Sequence, residues 1–168
     1  AGRILQDACY TFIGMDHFAL VSNQLAVAQR NGILSRNFQG YTLHGDADLL
    51  GFGVRDIRQI GNRCAQNMKS LSHWSDAIDQ HHSTIEQGYL LGRDDQMRRD
   101  LIMRLLCDLY VDMNLFSEQW QINFPDYFVD ALASWVEFED QGLVRVDKQR
   151  LVITEQGRLV SRALVMPF

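Results

Sequence analysis

Short runs that are apolar throughout alternate along this chain with longer stretches of helical spacing. Tyr10 to Met15 sets Phe12, Ile13 and Met15 around Thr11 and Gly14. A run apolar on both faces predicts a strand of a parallel sheet covered on both sides. Leu49 to Val54, reading Leu-Leu-Gly-Phe-Gly-Val, predicts a second buried strand. Its glycines, Gly51 and Gly53, are two apart and share one side. Glycine weakens a strand interior unless something comes close, so another backbone or a ligand is expected against that side. The segment ahead of Tyr10, with Ile4, Leu5 and Ala8, reads as the tail of a helix. Between the two runs, Ser22 is expected to cap a short helix that Gly32 stops, with Leu25 and Ala28 inward.

After Gly61 the period lengthens. Met68, Leu71, Trp74 and Ile78 predict one face of a helix over about 65–80, and Gly88 and Gly92 predict a turn. Asp94 and Asp95 open a strong helix, where negative charge suits the N-terminal dipole; Met97, Leu101 and Leu105 continue its stripe as far as Leu109. A further helix is expected from Asp126 to Gln141, started by Pro125 and stopped by Gly142, with Phe128, Leu132 and Trp135 inward. Leu143–Val146 and Leu151–Ile153 predict a hairpin through Asp147-Lys148-Gln149-Arg150, and Thr154 a cap for a last helix bearing Leu159, Ala163 and Leu164.

Two doubly covered strands cannot make a sheet alone; they need helices on both faces and further strands beside them. The expected fold class is therefore α/β moving to α+β. Residues 1–62 read as the C-terminal end of a (β/α) barrel whose beginning is not in this chain. Residues 63–91 read as a connecting helix and turn, and 92–168 as a mostly helical, winged-helix-like domain.

Composition narrows the function classes. The formal net charge of −5 argues against a dedicated nucleic-acid binder, and the helix before the hairpin carries Asp130, Glu137, Glu139 and Asp140 where a recognition helix would be basic. No run of about 18 apolar residues predicts a membrane span. Cys9, Cys64 and Cys107 are widely spaced, without the short intervals of a metal site, and suit a reducing cytoplasm. His81-His82 points to a surface turn rather than a metal site, because adjacent histidines diverge on a helix. Asp16 and His17 end the first predicted strand, where such sheets place ligands. Arg93, Arg98, Arg99 and Arg104 interleave with Asp94, Asp95 and Asp100 as a solvated, paired face.

Five stretches, YTFIGMDHFAL, LAVAQRNGILSRNFQGYT, DADLLGFGV, CAQN and GRDDQMRRDLI, occur in this order. Together they resemble the C-terminal part of the oxygen-independent coproporphyrinogen III oxidases, a radical S-adenosylmethionine family of haem biosynthesis. The resemblance runs along essentially the whole chain and is most specific in the MDHFA to NFQGYT portion. It implies an N-terminal barrel that binds a [4Fe-4S] cluster through three closely spaced cysteines, a triplet this chain lacks. It further implies oxidative decarboxylation, cytoplasmic and monomeric. A radical made from S-adenosylmethionine takes hydrogen from a propionate of coproporphyrinogen III; carbon dioxide leaves and a vinyl group forms, twice, giving protoporphyrinogen IX. Two S-adenosylmethionine molecules sit in the site of such enzymes, and the resemblance places Phe38, Gln39 and Ile57 against the second. The chain departs from the family pattern at Arg55 and Asp56, where small residues are expected. The partner expected is the preceding barrel of the same protein, and this chain alone is expected to be inactive. The other reading is a haem-binding, trafficking relative with a similar domain plan, against which the NFQGYT stretch weighs.

Overall fold

The computed structural model describes residues 2–168 in backbone detail. In chain order the elements are α1 (Gly2–Asp7), β1 (Tyr10–Gly14), β2 (His17–Leu20), α2 (Gln24–Arg30), β3 (Ser35–Asn37) and β4 (Gly40–Thr42). Then come β5 (Ile57–Ile60), β6 (Arg63–Asn67), α3 (Leu71–Asp79), β7 (Ile85–Leu90) and α4 (Arg93–Cys107). The chain ends with β8 (Tyr110–Asp112), α5 (Met113–Trp120), α6 (Phe124–Tyr127), α7 (Val129–Asp140), β9 (Val144–Val146), β10 (Arg150–Ile153), a 3₁₀ turn (Gly157–Val160) and α8 (Ser161–Val165). It divides into two compact units, residues 1–45 with 97–168, and residues 46–96. The architecture is mixed α/β with small antiparallel sheets, and the described residues close no barrel. No described helix is long and apolar enough to cross a membrane.

In the first unit the expected parallel strand is half of an antiparallel hairpin. β1 pairs with β2, Tyr10 opposite Leu20 and Phe12 opposite Phe18. The turn between them is Met15-Asp16, both left-handed at φ +44° and +67°. Such primed turns match the right-handed twist of paired strands, so this loop returns the chain upon itself instead of sending it into a crossover helix. The expectation of a covered parallel strand failed because a five-residue apolar run is compatible with either pairing. Asn23, not Ser22, caps α2; its Oδ1 accepts the Leu25 N–H at 2.9 Å. Ile13, Ala19, Ala26, Ala28, Leu34 and Cys107 form a small buried cluster between this hairpin, α2 and the end of α4.

The main core of this unit belongs to the C-terminal elements. Leu101 and Leu105 of α4 meet Phe116, Phe124, Phe128, Trp135, Leu151 and Leu164. The aromatic rings interlock edge to face, Phe116 against Phe124 at 5.5 Å and Trp135 against Phe168 at 5.2 Å. The buried Trp135 indole N–H donates to the Leu164 carbonyl at 2.8 Å, so its polar atom costs nothing unsatisfied. The Asp126–Gln141 helix is interrupted at Phe128, with Pro125 in α6 as expected for a helix start. The predicted β9–β10 hairpin is present, and β8 joins it as a third strand in the order β8-β10-β9. Thr154 Oγ1 accepts the Gly157 N–H at 3.2 Å, but it does not cap the last helix, which begins at Ser161 after the 3₁₀ turn and has no side-chain cap.

In the second unit β5, β6 and β7 form an antiparallel sheet, against which the loop over residues 49–56 folds. Leu49–Val54 is not a strand. It makes a single antiparallel bridge, Leu49 to Gln59, before leaving extended structure. The predicted 65–80 helix is shorter: residues up to Asn67 lie in β6, and Ser70 caps α3 by accepting the His73 N–H. Its apolar stripe is largely solvent-facing, with only Ala77 of α3 buried. Gly88 lies inside β7 rather than in a turn.

Candidate functional site

Ser35-Arg36-Asn37 and Gly40-Tyr41-Thr42 pair as a hairpin whose two-residue tip is Phe38-Gln39. The tip is held from below. Asn37 Oδ1 accepts the Gln39 N–H at 2.8 Å and the Gly40 N–H at 3.2 Å. Such an Asx turn satisfies the loop backbone with a side chain already in place. Gly40 has φ +137°, and a Cβ there would stand 3.3 Å from His17 Nε2, so the position favours glycine twice over. The consequence is a tip whose side chains are free. Phe38 is 53% exposed, and the Gln39 carboxamide makes no hydrogen bond to any described residue.

Beneath the tip sits a polar group that the sequence reading did not assemble. The Arg36 guanidinium stands over the Tyr41 ring at 5.9 Å, and His17 meets the same ring edge-on at 5.3 Å. Tyr41 donates its hydroxyl to the Leu106 carbonyl at 3.2 Å. Burial, reinforced by Cys107 and opposed by Arg36 and Arg158, pushes Tyr41 up to about 12. Burial and the nearby Asp108 push the Cys107 thiol up to about 12 as well. Both are therefore protonated at neutral pH, and Cys107 is no nucleophile. Burial also raises Asp108, against the pull of Arg104. Gln29 ties β1 to the end of α4, donating to the carbonyls of Ile13 at 2.7 Å and Cys107 at 3.2 Å. Arg158 donates to the Phe12 carbonyl and to Gln29 Oε1. The available signal was the alternation along β3, which sets Arg36 between two small polar residues. Tyr41 lies opposite it across the hairpin, but Leu106, which accepts the Tyr41 hydroxyl, lies too far along the chain to be read as a neighbour.

Ile57 lies in the other unit. It opens β5, half-buried, opposite Gln66. The glycines before it have a local cause. A Cβ at Gly51 would come within 2.6 Å of Asp56 Cβ and 3.1 Å of the Ile57 carbonyl. The Gly53 N–H donates to Asp56 Oδ2 at 2.7 Å. What approaches the glycines is thus the chain's own Asp56. Arg55 is left-handed at φ +66° and donates from Nε to the Lys69 carbonyl at 3.0 Å. The two residues that break the family pattern are therefore each fixed to backbone, not to one another. The paired histidines His81 and His82 occupy an exposed turn after α3. Among the described residues, no three of His, Cys, Asp and Glu are grouped to hold a metal.

Comparison with known proteins gives this geometry its context. Residues 91–160 match the family described as the HemN C-terminal domain. Across 164 residues the chain is 44% identical to the oxygen-independent coproporphyrinogen III oxidase of Escherichia coli, covering 98% of this chain and 36% of that protein. The corresponding protein of Thermostichus vulcanus is 41% identical over 160 residues, 49% of its length. A solved structure described as "Coproporphyrinogen III oxidase (HemN) from Escherichia coli is a Radical SAM enzyme" superposes with a TM-score of 0.93, over 98% of this chain and 38% of that one. The chain thus spans between about a third and a half of the length of these relatives, and what it matches is their C-terminal portion.

Proposed function

We propose that this chain is the C-terminal portion of a cytoplasmic radical S-adenosylmethionine enzyme that oxidatively decarboxylates coproporphyrinogen III to protoporphyrinogen IX. In this reading residues 1–62 complete the barrel, 63–91 connect, and 92–168 form the HemN C-terminal domain with its winged-helix-like β9–β10 hairpin. The preceding barrel of the same protein supplies the [4Fe-4S] cluster. The cysteines here do not fit that group: Cys9 is exposed, Cys64 half-buried, and Cys107 buried and protonated, with no grouped donors beside them.

S-adenosylmethionine, when bound, supplies the radical that the reaction needs. Phe38, Gln39 and Ile57 are the residues that the resemblance assigns to the second S-adenosylmethionine, beside the one that is cleaved. The observation that carries this assignment is the Asn37-braced tip, which leaves an apolar ring and an unspent carboxamide side by side. The ring offers a face to a planar base, and the carboxamide offers both a donor and an acceptor. Ile57 contributes a packing surface at the start of β5. The task of these side chains is orientation, since holding the reacting groups in place lowers the barrier without new chemistry.

The test is Gln39→Ala in the protein extended by its N-terminal portion. Loss of a hydrogen bond to a charged ligand predicts turnover reduced about tenfold or more, with the thermal midpoint unchanged. Unchanged kinetics removes Gln39 from the site.

A further inference from the structure

The second unit contains a cavity of about 250 Å³ that the proposed activity does not use. It lies off the Arg58 side of β5. Successive strand residues face opposite ways, so Ile57 points to the other face. Leu50, Phe52, Ile78 and the Trp74 indole provide apolar walls; Arg58, Asn67 and Thr84 provide the polar end.

The polar end has an excess of positive charge and of donors. Arg58 is the one charged residue in the lining. Its Nη2 donates to Asn67 Oδ1 at 2.7 Å and to the Gly51 carbonyl at 3.3 Å, both neutral acceptors. Its Nε is buried and finds no acceptor, and the same holds for the Trp74 indole Nε1. No carboxylate among the described residues forms an ion pair with Arg58, and the nearest in sequence, Asp56, is occupied by the Gly53 N–H. Asn67 cannot help further. Its Oδ1 takes Arg58 and Thr84 while its Nδ2 serves the carbonyls of Gly51 and Gly53, which uses its whole hydrogen-bonding capacity. A half-buried cation without a counter-charge is costly, and a donor without an acceptor adds to that cost.

We infer that this cavity binds a small monocarboxylate with a flat apolar body, its carboxylate on Arg58 and its body against Trp74. A carboxylate supplies the guanidinium with the negative charge that its amide and carbonyl acceptors lack. A volume just under the usual range for ligand pockets admits one small ring and excludes a whole tetrapyrrole. The inference stands independently of the activity proposed above.

The probe is benzoate, titrated to about 10 mM into the ¹⁵N-labelled full chain and read at the three tryptophan indole N–H signals, an upper limit that still detects millimolar binding. The Trp74 signal, assigned by its loss in Trp74→Phe, should move and saturate. The Trp120 and Trp135 signals should stay, because their indoles donate within the other unit to Asp100 and to the Leu164 carbonyl. Neutral benzamide should leave all three in place. Arg58→Met keeps the side-chain stem and should weaken benzoate at least about tenfold, the scale of one charge-assisted pairing. Should Arg58→Met lose its amide dispersion, calorimetry on Trp74→Phe replaces it, with a threefold or greater loss expected for a stacking and donor contribution. Coproporphyrin III, with four propionates, tells the sources apart: displacement of benzoate assigns the carboxylate to an arm of a larger molecule, and no displacement assigns it to a free acid. An unmoved Trp74 signal, an equal response to benzamide, or undiminished affinity in the variants overturns the inference.

Discussion

The two units of this chain are stabilised by different chemistry. The first packs Phe116, Phe124, Trp135, Leu101, Leu105 and Leu151 out of contact with water altogether. The second, residues 46–96, buries only Gly51, Asn67 and Ala77. Its centre is an amide: Asn67 connects the 51–53 loop, β5 through Arg58, and Thr84 ahead of β7. An apolar core tolerates redistribution of its contacts, because dispersion and burial are not directional. A polar centre does not, because each lost partner leaves a buried group unsatisfied. At Gly51, beside this polar centre, Asp56 occupies the space a Cβ would need.

The largest effect is expected from Trp135→Ala. It removes the fully buried ring between Phe168 and Leu164 and should cost about 3–5 kcal/mol in urea unfolding followed by circular dichroism. A loss below about 1 kcal/mol would contradict a core organised on this residue. Next, Asn67→Ala strands the Gly53 carbonyl, removes the acceptor of Arg58 and Thr84, and should cost about 1–3 kcal/mol. Its signature is local, with faster amide exchange at Arg55, Gln59 and Asn67, whose N–H groups bond Met68, Leu49 and Asp56 around this loop. Protection unchanged at these amides would show that the network is dispensable.

A change of pH also separates the units. Tyr41 and Cys107, both in the first unit, are raised to about 12 from ordinary values of 10.0 and 9.0. Between those limits the unfolded chain has released protons that the folded chain still holds, so stability falls as pH rises. It is complete below about pH 9, where both states keep the protons. Urea midpoints measured from pH 8 to 11 should therefore decline, and Tyr41→Phe should flatten the upper part of the decline. A midpoint independent of pH, or a slope unaltered in Tyr41→Phe, would place Tyr41 in solvent.

Much of the C-terminal fold was legible along the chain. The α4 stripe, Pro125 and the β9–β10 hairpin are local signals, each settled within a few residues by turn chemistry or helical period. The tip at Phe38-Gln39 was located by motif, but nothing in the motif predicts Asn37 as its brace. The first sixty residues were misread in pairing. Apolar runs report burial and not partner, and the left-handed pair Met15-Asp16, which reverses β1, carries no glycine to announce it.

By itself, then, the sequence determined which segments are apolar, where α4 begins and α7 ends, and which family the chain resembles. Only the tertiary structure decided that β1 turns back on β2, that Asp56 is what the glycines accommodate, and that Arg58 ends in a cavity without a counter-charge. The physical reason is range. Capping, turns and helical period are interactions of neighbours, whereas strand pairing and the satisfaction of a buried polar group depend on residues brought together from distant parts of the chain.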